Sequence, residues 1–82
     1  MEPKVKVYST ATCPYCIMSK GFLRDHDIPF EDINVGDDHQ ALIEMRNKSG
    51  QLGVPVLDID GKIIVGFDRD AIADALGLSV KK

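Results

Sequence analysis

The chain has 82 residues, 44% of them hydrophobic and 28% charged, with a formal net charge of −3. These values fit one soluble globular domain spanning residues 1–82. They argue against nucleic acid or an anionic membrane as partner. No apolar run approaches the ~18 residues of a membrane span, and Met1-Glu2-Pro3-Lys4 lacks the apolar stretch of a signal peptide. A cytoplasmic monomer is the expectation.

Lys4–Ser9 reads as a strand, with Val5 and Val7 on one face. A helix then begins at Cys13 or Pro14 and runs to about His26. Pro14 suits the first turn, where a missing N–H costs nothing, and Ile28-Pro29 breaks the run. Phe30–Val35 is a second strand and Gly36-Asp37-Asp38 a turn in which either aspartate can cap the next helix, His39–Lys48. Ser49-Gly50 closes that helix in the manner of a left-handed cap. Val54–Ile59 is a third strand, Asp60-Gly61 a hairpin turn and Lys62–Val65 a fourth, antiparallel strand. Gly66 turns the chain, Asp68 can cap, and Asp70–Leu76 forms a last helix that Gly77 ends. The order β-α-β-α-β-β-α, with a right-handed first crossover, predicts an α/β fold: a four-stranded mixed sheet flanked by three helices.

The two cysteines of the chain, Cys13 and Cys16, fall where the first strand gives way to the first helix. A thiol at the first turn of a helix faces unpaired N–H groups and the positive end of the helix dipole, and both favour thiolate, the attacking species. Cys13, nearest the helix start, is the expected nucleophile. Cys16, one turn on and more enclosed, is the expected resolving thiol that releases a product from a mixed disulfide. A free thiol titrates near ~8.5, so holding it mostly ionised at neutral pH takes roughly 3–4 kcal/mol. The dipole contributes about 0.3–1 kcal/mol. Hydrogen bonds from the N–H groups of residues 15 and 16 must supply much of the rest. Lys20 follows on the same helical face, either as a solvated lysine or as a tuner of the thiols.

A structural disulfide is the weaker reading, since closing so short a loop restricts the unfolded chain by only roughly 2 kcal/mol. A metal site would need partners such as His26 and His39, which lack ligand spacing and read as surface residues. No bound metal is expected, although a cluster shared between chains is an alternative use of the cysteines. Gly53-Val54-Pro55 enters the third strand either as a plain loop proline or as a cis turn that bares the Val54 backbone to an extended thiol peptide.

Taken in order, these motifs resemble the glutaredoxins of the thioredoxin fold over about Val5 to Leu76. Thr12-Cys13-Pro14-Tyr15-Cys16 is similar to their dithiol site. Gly53-Val54-Pro55 is similar to their Thr-Val-Pro with its cis proline, and Val65-Gly66-Phe67-Asp68 to their Gly-Gly-x-Asp segment. The chain most resembles a short bacterial subgroup, and its ending is also similar to small redoxins that serve ribonucleotide reductase. The resemblance implies a thiol–disulfide oxidoreductase that reduces protein disulfides and glutathione-mixed disulfides, with glutathione as reductant and no tightly bound cofactor. It also implies a glutathione groove along Tyr15, Gln51, Val54, Pro55, Gly66, Phe67 and Asp68, supported by Thr12, Pro14 and Lys20. There Val54 would pair with the cysteine backbone, and Asp68 with its helix-start N–H groups would hold the γ-glutamyl end. The alternatives are a redoxin reset by a thioredoxin-reductase-like flavoprotein that donates electrons to ribonucleotide reductase, and a metal or iron–sulfur carrier. Three departures point to weaker glutathione binding. Thr10 stands where many members have lysine, Gln51 where they often have arginine, and Val65 replaces the first glycine of the pair.

Overall fold

A computed structural model describes residues 4–77. The elements are β1 (Val5–Ser9), α1 (Pro14–Asp25), β2 (Glu31–Asn34), α2 (His39–Ser49), β3 (Val56–Ile59), β4 (Lys62–Val65) and α3 (Arg69–Leu76). This is the expected order, with β1, α1, β2 and β3 shorter than expected and α2 and α3 each one residue longer. Phe30 packs against the core instead of pairing, and Val35 is buried just past β2, its N–H donating to the Ser9 carbonyl at 2.9 Å. Val54 and Pro55 precede β3 rather than belong to it, because their peptide bond is cis and proline has no N–H for the ladder. Of the two aspartates offered as a cap for α2, Asp38 does the work, accepting the Ala41 N–H at 3.1 Å. The parts of the expected domain at residues 1–3 and 78–82 lie outside the described residues.

The strands form a sheet in the order β2-β1-β3-β4. β1 runs parallel to β2 and antiparallel to β3, and the β3–β4 hairpin completes the sheet. Tyr8 is opposite Val56, so the end of β1 that leads to Cys13 meets the start of β3. Side chains alternate across this sheet. Val5, Val7, Leu57, Ile59 and Ile64 face α1 and α3, where Leu23 and Ile72 complete an apolar core. Tyr8 and Val56 face α2, where they pack with Val35, Ala41 and Met45.

The α2 side carries polar groups as well. Lys48 donates to Asp58 Oδ2 at 2.6 Å and to the Tyr8 hydroxyl at 2.8 Å, and it pairs with Glu44 Oε2 at 3.1 Å. The Tyr8 hydroxyl donates to Glu44 Oε2 at 2.8 Å. Burial works against the charge on Lys48, but its bonds to Asp58, Tyr8 and Glu44 outweigh burial and push its pKa up. Burial also opposes the charge on Asp58, yet Lys48 and the Gly61 N–H hold that carboxyl below its ordinary value. Only the i,i+4 pair of Glu44 with Lys48 is local in the sequence; Tyr8 and Asp58 meet Lys48 from 40 and 10 residues away.

Candidate active site

β1 ends at Ser9, and the chain turns through Ala11 and Thr12 before α1 starts at Pro14. Cys13 is therefore the N-cap, in extended conformation with φ −93° and ψ 113°. Its Sγ accepts the Cys16 N–H at 3.3 Å, while its carbonyl accepts from both Cys16 and Ile17. A sulfur thus fills the place usually taken by a serine or aspartate oxygen. Pro14 occupies the first turn without losing a bond, and Tyr15 projects into solvent with 60% of its surface exposed.

The two thiols sit in opposite settings. Cys13 is partly exposed and Cys16 is fully buried, and both are free thiols. For Cys13, burial opposes ionisation. The Cys16 thiol, the backbone N–H groups of Cys16 and Tyr15 and the charge of Lys20 together outweigh it, and the Cys13 pKa falls below its ordinary value. For Cys16, burial and then the neighbouring Cys13 push the thiol up to about 11. The more exposed thiol therefore ionises more readily than the buried one. Lys20 does not extend freely toward the cysteines. Its ammonium is held by Asp32 Oδ2 at 3.0 Å, and the buried Ser9 hydroxyl donates to Asp32 Oδ1 at 3.0 Å. Of the two readings of Lys20, the tuning one has support, since its charge favours the ionised form of both thiols, and the solvated one needs correction, since Asp32 anchors the ammonium.

A second wall faces Cys13. The Val54–Pro55 bond is cis, the alternative that Gly53-Val54-Pro55 left open. The Cys13 thiol donates to the Val54 carbonyl at 3.8 Å. Among the described residues, no acceptor within the chain takes the Val54 N–H. Pro55 is buried, and its carbonyl accepts the Gly66 N–H at 2.7 Å. Gly66 has φ +83°, a conformation that suits glycine. That bond brings the Gly66-Phe67-Asp68 segment beside the cis turn. Phe67 is half-buried with its ring edge-on to Phe22, 6.3 Å between centroids, and so serves the core as much as a groove. Asp68 Oδ1 caps α3 by accepting the Ala71 N–H at 3.1 Å.

The resemblance placed Gln51 in the glutathione groove, where relatives often have arginine. Its amide folds back on its own loop: Oε1 accepts the Gly53 N–H at 2.6 Å and Nε2 donates to the Gly53 carbonyl at 3.0 Å. Among the described residues, no group of three or more His, Cys, Asp or Glu is gathered in metal-ligand geometry. No described helix is long and apolar enough to cross a membrane.

With a thiolate-favouring helix start, a cis-proline wall and an aspartate-capped helix in one place, the chain can be set beside known proteins. The sequence model of the glutaredoxin family matches residues 5–64. A glutaredoxin-like 8.6 kDa protein from the rubredoxin operon of Clostridium pasteurianum is 52% identical over 68 residues, covering 83% of this chain and 91% of that one. Glutaredoxin 3 of Escherichia coli is 33% identical over 73 residues, covering 89% and 88% of the two chains. The crystal structure of a glutaredoxin from Methanosarcina mazei superposes with a TM-score of 0.82 at 30% identity, over 92% of this chain and 79% of that one. The expected thioredoxin-like fold is the fold observed, and by sequence and architecture together the chain belongs to the glutaredoxin family of thiol redox proteins.

Proposed function

We propose that the protein is a dithiol thiol–disulfide oxidoreductase that reduces protein disulfides and glutathione-mixed disulfides. The observation that carries this reading is the Cys13 sulfur, which accepts an α1 N–H at 3.3 Å while facing the Val54 carbonyl across 3.8 Å. In the first step the Cys13 thiolate attacks one sulfur of the substrate disulfide, and the other sulfur leaves as a thiolate. The Cys16 thiol then loses its proton and attacks Cys13. The Cys13–Cys16 disulfide forms, and the remaining substrate sulfur departs as a thiol. The substrate lies extended along Val54 and pairs with its backbone. Tyr15 covers it on one side, and the Gly66–Asp68 segment receives its far end.

Glutathione is the reductant in this reading, as it is for the family. Its γ-glutamyl group would meet Asp68 and the start of α3, where cap and ligand can share one carboxylate because Oδ1 alone is committed to the cap. A second reading has support from the cations. Thr10 and Gln51 offer no charge, and Lys20 is paired with Asp32. A flavoprotein reductase of the thioredoxin-reductase type would reset the disulfide without needing a carboxylate subsite. A coupled NADPH assay separates the two, run once with glutathione plus its reductase and once with thioredoxin reductase. For either reductant, Cys13→Ser abolishes turnover. Cys16→Ser keeps monothiol turnover of glutathione-mixed disulfides and loses reduction of protein disulfides. Equal activity in Cys13→Ser and the parent protein would refute the assignment.

A further inference from the structure

The loop between α2 and the cis proline is held by two side chains, Gln51 and Ser49. The Gln51 carboxamide bonds both backbone groups of Gly53, accepting its N–H at 2.6 Å and donating to its carbonyl at 3.0 Å. The second Nε2 hydrogen reaches Ser49 Oγ at 3.4 Å. The Ser49 hydroxyl lies between two carbonyl acceptors, Met45 in α2 at 2.8 Å and Gln51 at 3.0 Å. A chain of bonds therefore runs from the last turn of α2 through Ser49 and Gln51 to Gly53, the residue before Val54. An amide that binds both backbone groups of a residue does for that residue what a neighbouring strand would do.

Gly53 is a condition of this arrangement. A Cβ at position 53 would lie 2.7 Å from Gln51 Oε1, so any side chain there displaces the carboxamide. We propose that Gln51 and Gly53 form a single positioning device, a clasp that presets the Val54 backbone for pairing with an extended substrate beside Cys13. The proposal rests on the strand-like substrate placement of the proposed function. The clasp also decides specificity. With its Nε2 hydrogens and Oε1 engaged by the loop, Gln51 has no donor to spare for a substrate carboxylate. The site therefore favours ligands read through their backbone over ligands read through charge.

Two probes test the device in stopped-flow single turnovers of the reduced protein. One is a short cysteine peptide, blocked at both ends, in mixed disulfide with thionitrobenzoate. The other is mercaptoethanol in the same mixed disulfide, which has no peptide groups to pair. Attack by Cys13 releases coloured thionitrobenzoate from both. In Gln51→Ala, and equally in Gly53→Ala, the half-saturating concentration of the peptide probe rises about fivefold, while the limiting rate and the mercaptoethanol rate move less than twofold. The double variant is no worse than either single one, because each change already removes the clasp. Gln51→Glu, which keeps the acceptor and loses the donor, falls between. Thermal unfolding confirms that each variant folds; if Gly53→Ala does not, the Gln51→Ala and Gln51→Glu arms decide. Effects that multiply in the double variant, equal losses on both probes, or no change on the peptide probe would overturn the clasp. A parent protein inert to both probes would instead overturn the thiol–disulfide reading itself.

Discussion

The rim around Cys13 and the cluster around Lys48 are built from the same kinds of group, and they use them in opposite ways. Around Lys48 each hydrogen-bonding group is answered from within the chain: the ammonium touches Asp58, Tyr8 and Glu44, and the Tyr8 hydroxyl has both a donor and an acceptor. Around Cys13 the groups point outward. The Val54 N–H has no acceptor among the described residues, Tyr15 stands in solvent, and the Cys13 thiol is held by a long contact. Polar groups that satisfy one another stabilise the fold, whereas polar groups left open are available to a partner. The two regions are linked through β1 and β3, since Tyr8 lies opposite Val56, directly after the cis proline.

The sharpest way to break this contrast is to remove the sulfur. Cys13→Ser should reduce disulfide reduction to the background rate of the buffer, while the unfolding midpoint moves by no more than a few degrees. Next in size is the converse change. Lys48→Met should lower unfolding stability by about 2 kcal/mol, measured by urea denaturation, and leave the alkylation rate of Cys13 unchanged. The cost stays below that of a fully buried pair because Tyr8 still donates to Glu44 and Gly61 still donates to Asp58.

The pH dependence sharpens the same comparison. Asp58 is held below its ordinary value by Lys48 and the Gly61 N–H against burial, and Glu44 by Tyr8 and Lys48. Both carboxylates therefore contribute stability in full above their unfolded values, near ~4, and lose it as pH falls through the folded ones. Lys48 is shifted upward, so its contribution is complete below ~10.4 and is lost at higher pH. Urea midpoints in the parent protein should plateau between these limits, and the acid-side decline should flatten in Lys48→Met. At the rim, iodoacetamide should alkylate Cys13 with a midpoint below that of free cysteine, while Cys16 resists until about 11. The smallest effect belongs to Lys20→Gln. Losing a cation already half-neutralised by Asp32 should raise the Cys13 midpoint slightly and slow alkylation at neutral pH by about twofold, with Lys20→Arg restoring it.

The parts of the molecule legible in the sequence were those written in adjacent residues. Pro14 at a helix start, Asp60-Gly61 at a hairpin and Asp68 before a helix each state a local geometry, and each element formed within a residue or two of its expected place. The more enclosed setting of Cys16 followed from the same local logic. What was hidden depends on where side chains turn. Gln51 read as a groove residue because nothing at position 51 announces that glycine two residues later leaves room for its amide to fold back. The two readings of Lys20, solvated or tuning the thiols, could not be separated because Asp32 approaches only when β2 pairs with β1. Gly53-Val54-Pro55 alone could not choose the isomer of its proline; family resemblance could, because it carries the tertiary setting with it.

Among the described residues, the strand order β2-β1-β3-β4 leaves one lateral edge of β2 without a strand partner, on a segment of four residues that includes Glu31 and Asp32. A second molecule laying its own β2 alongside would gain few rungs and would bring like carboxylates together. So short and acidic an edge strand is a poor template for pairing between copies of the chain.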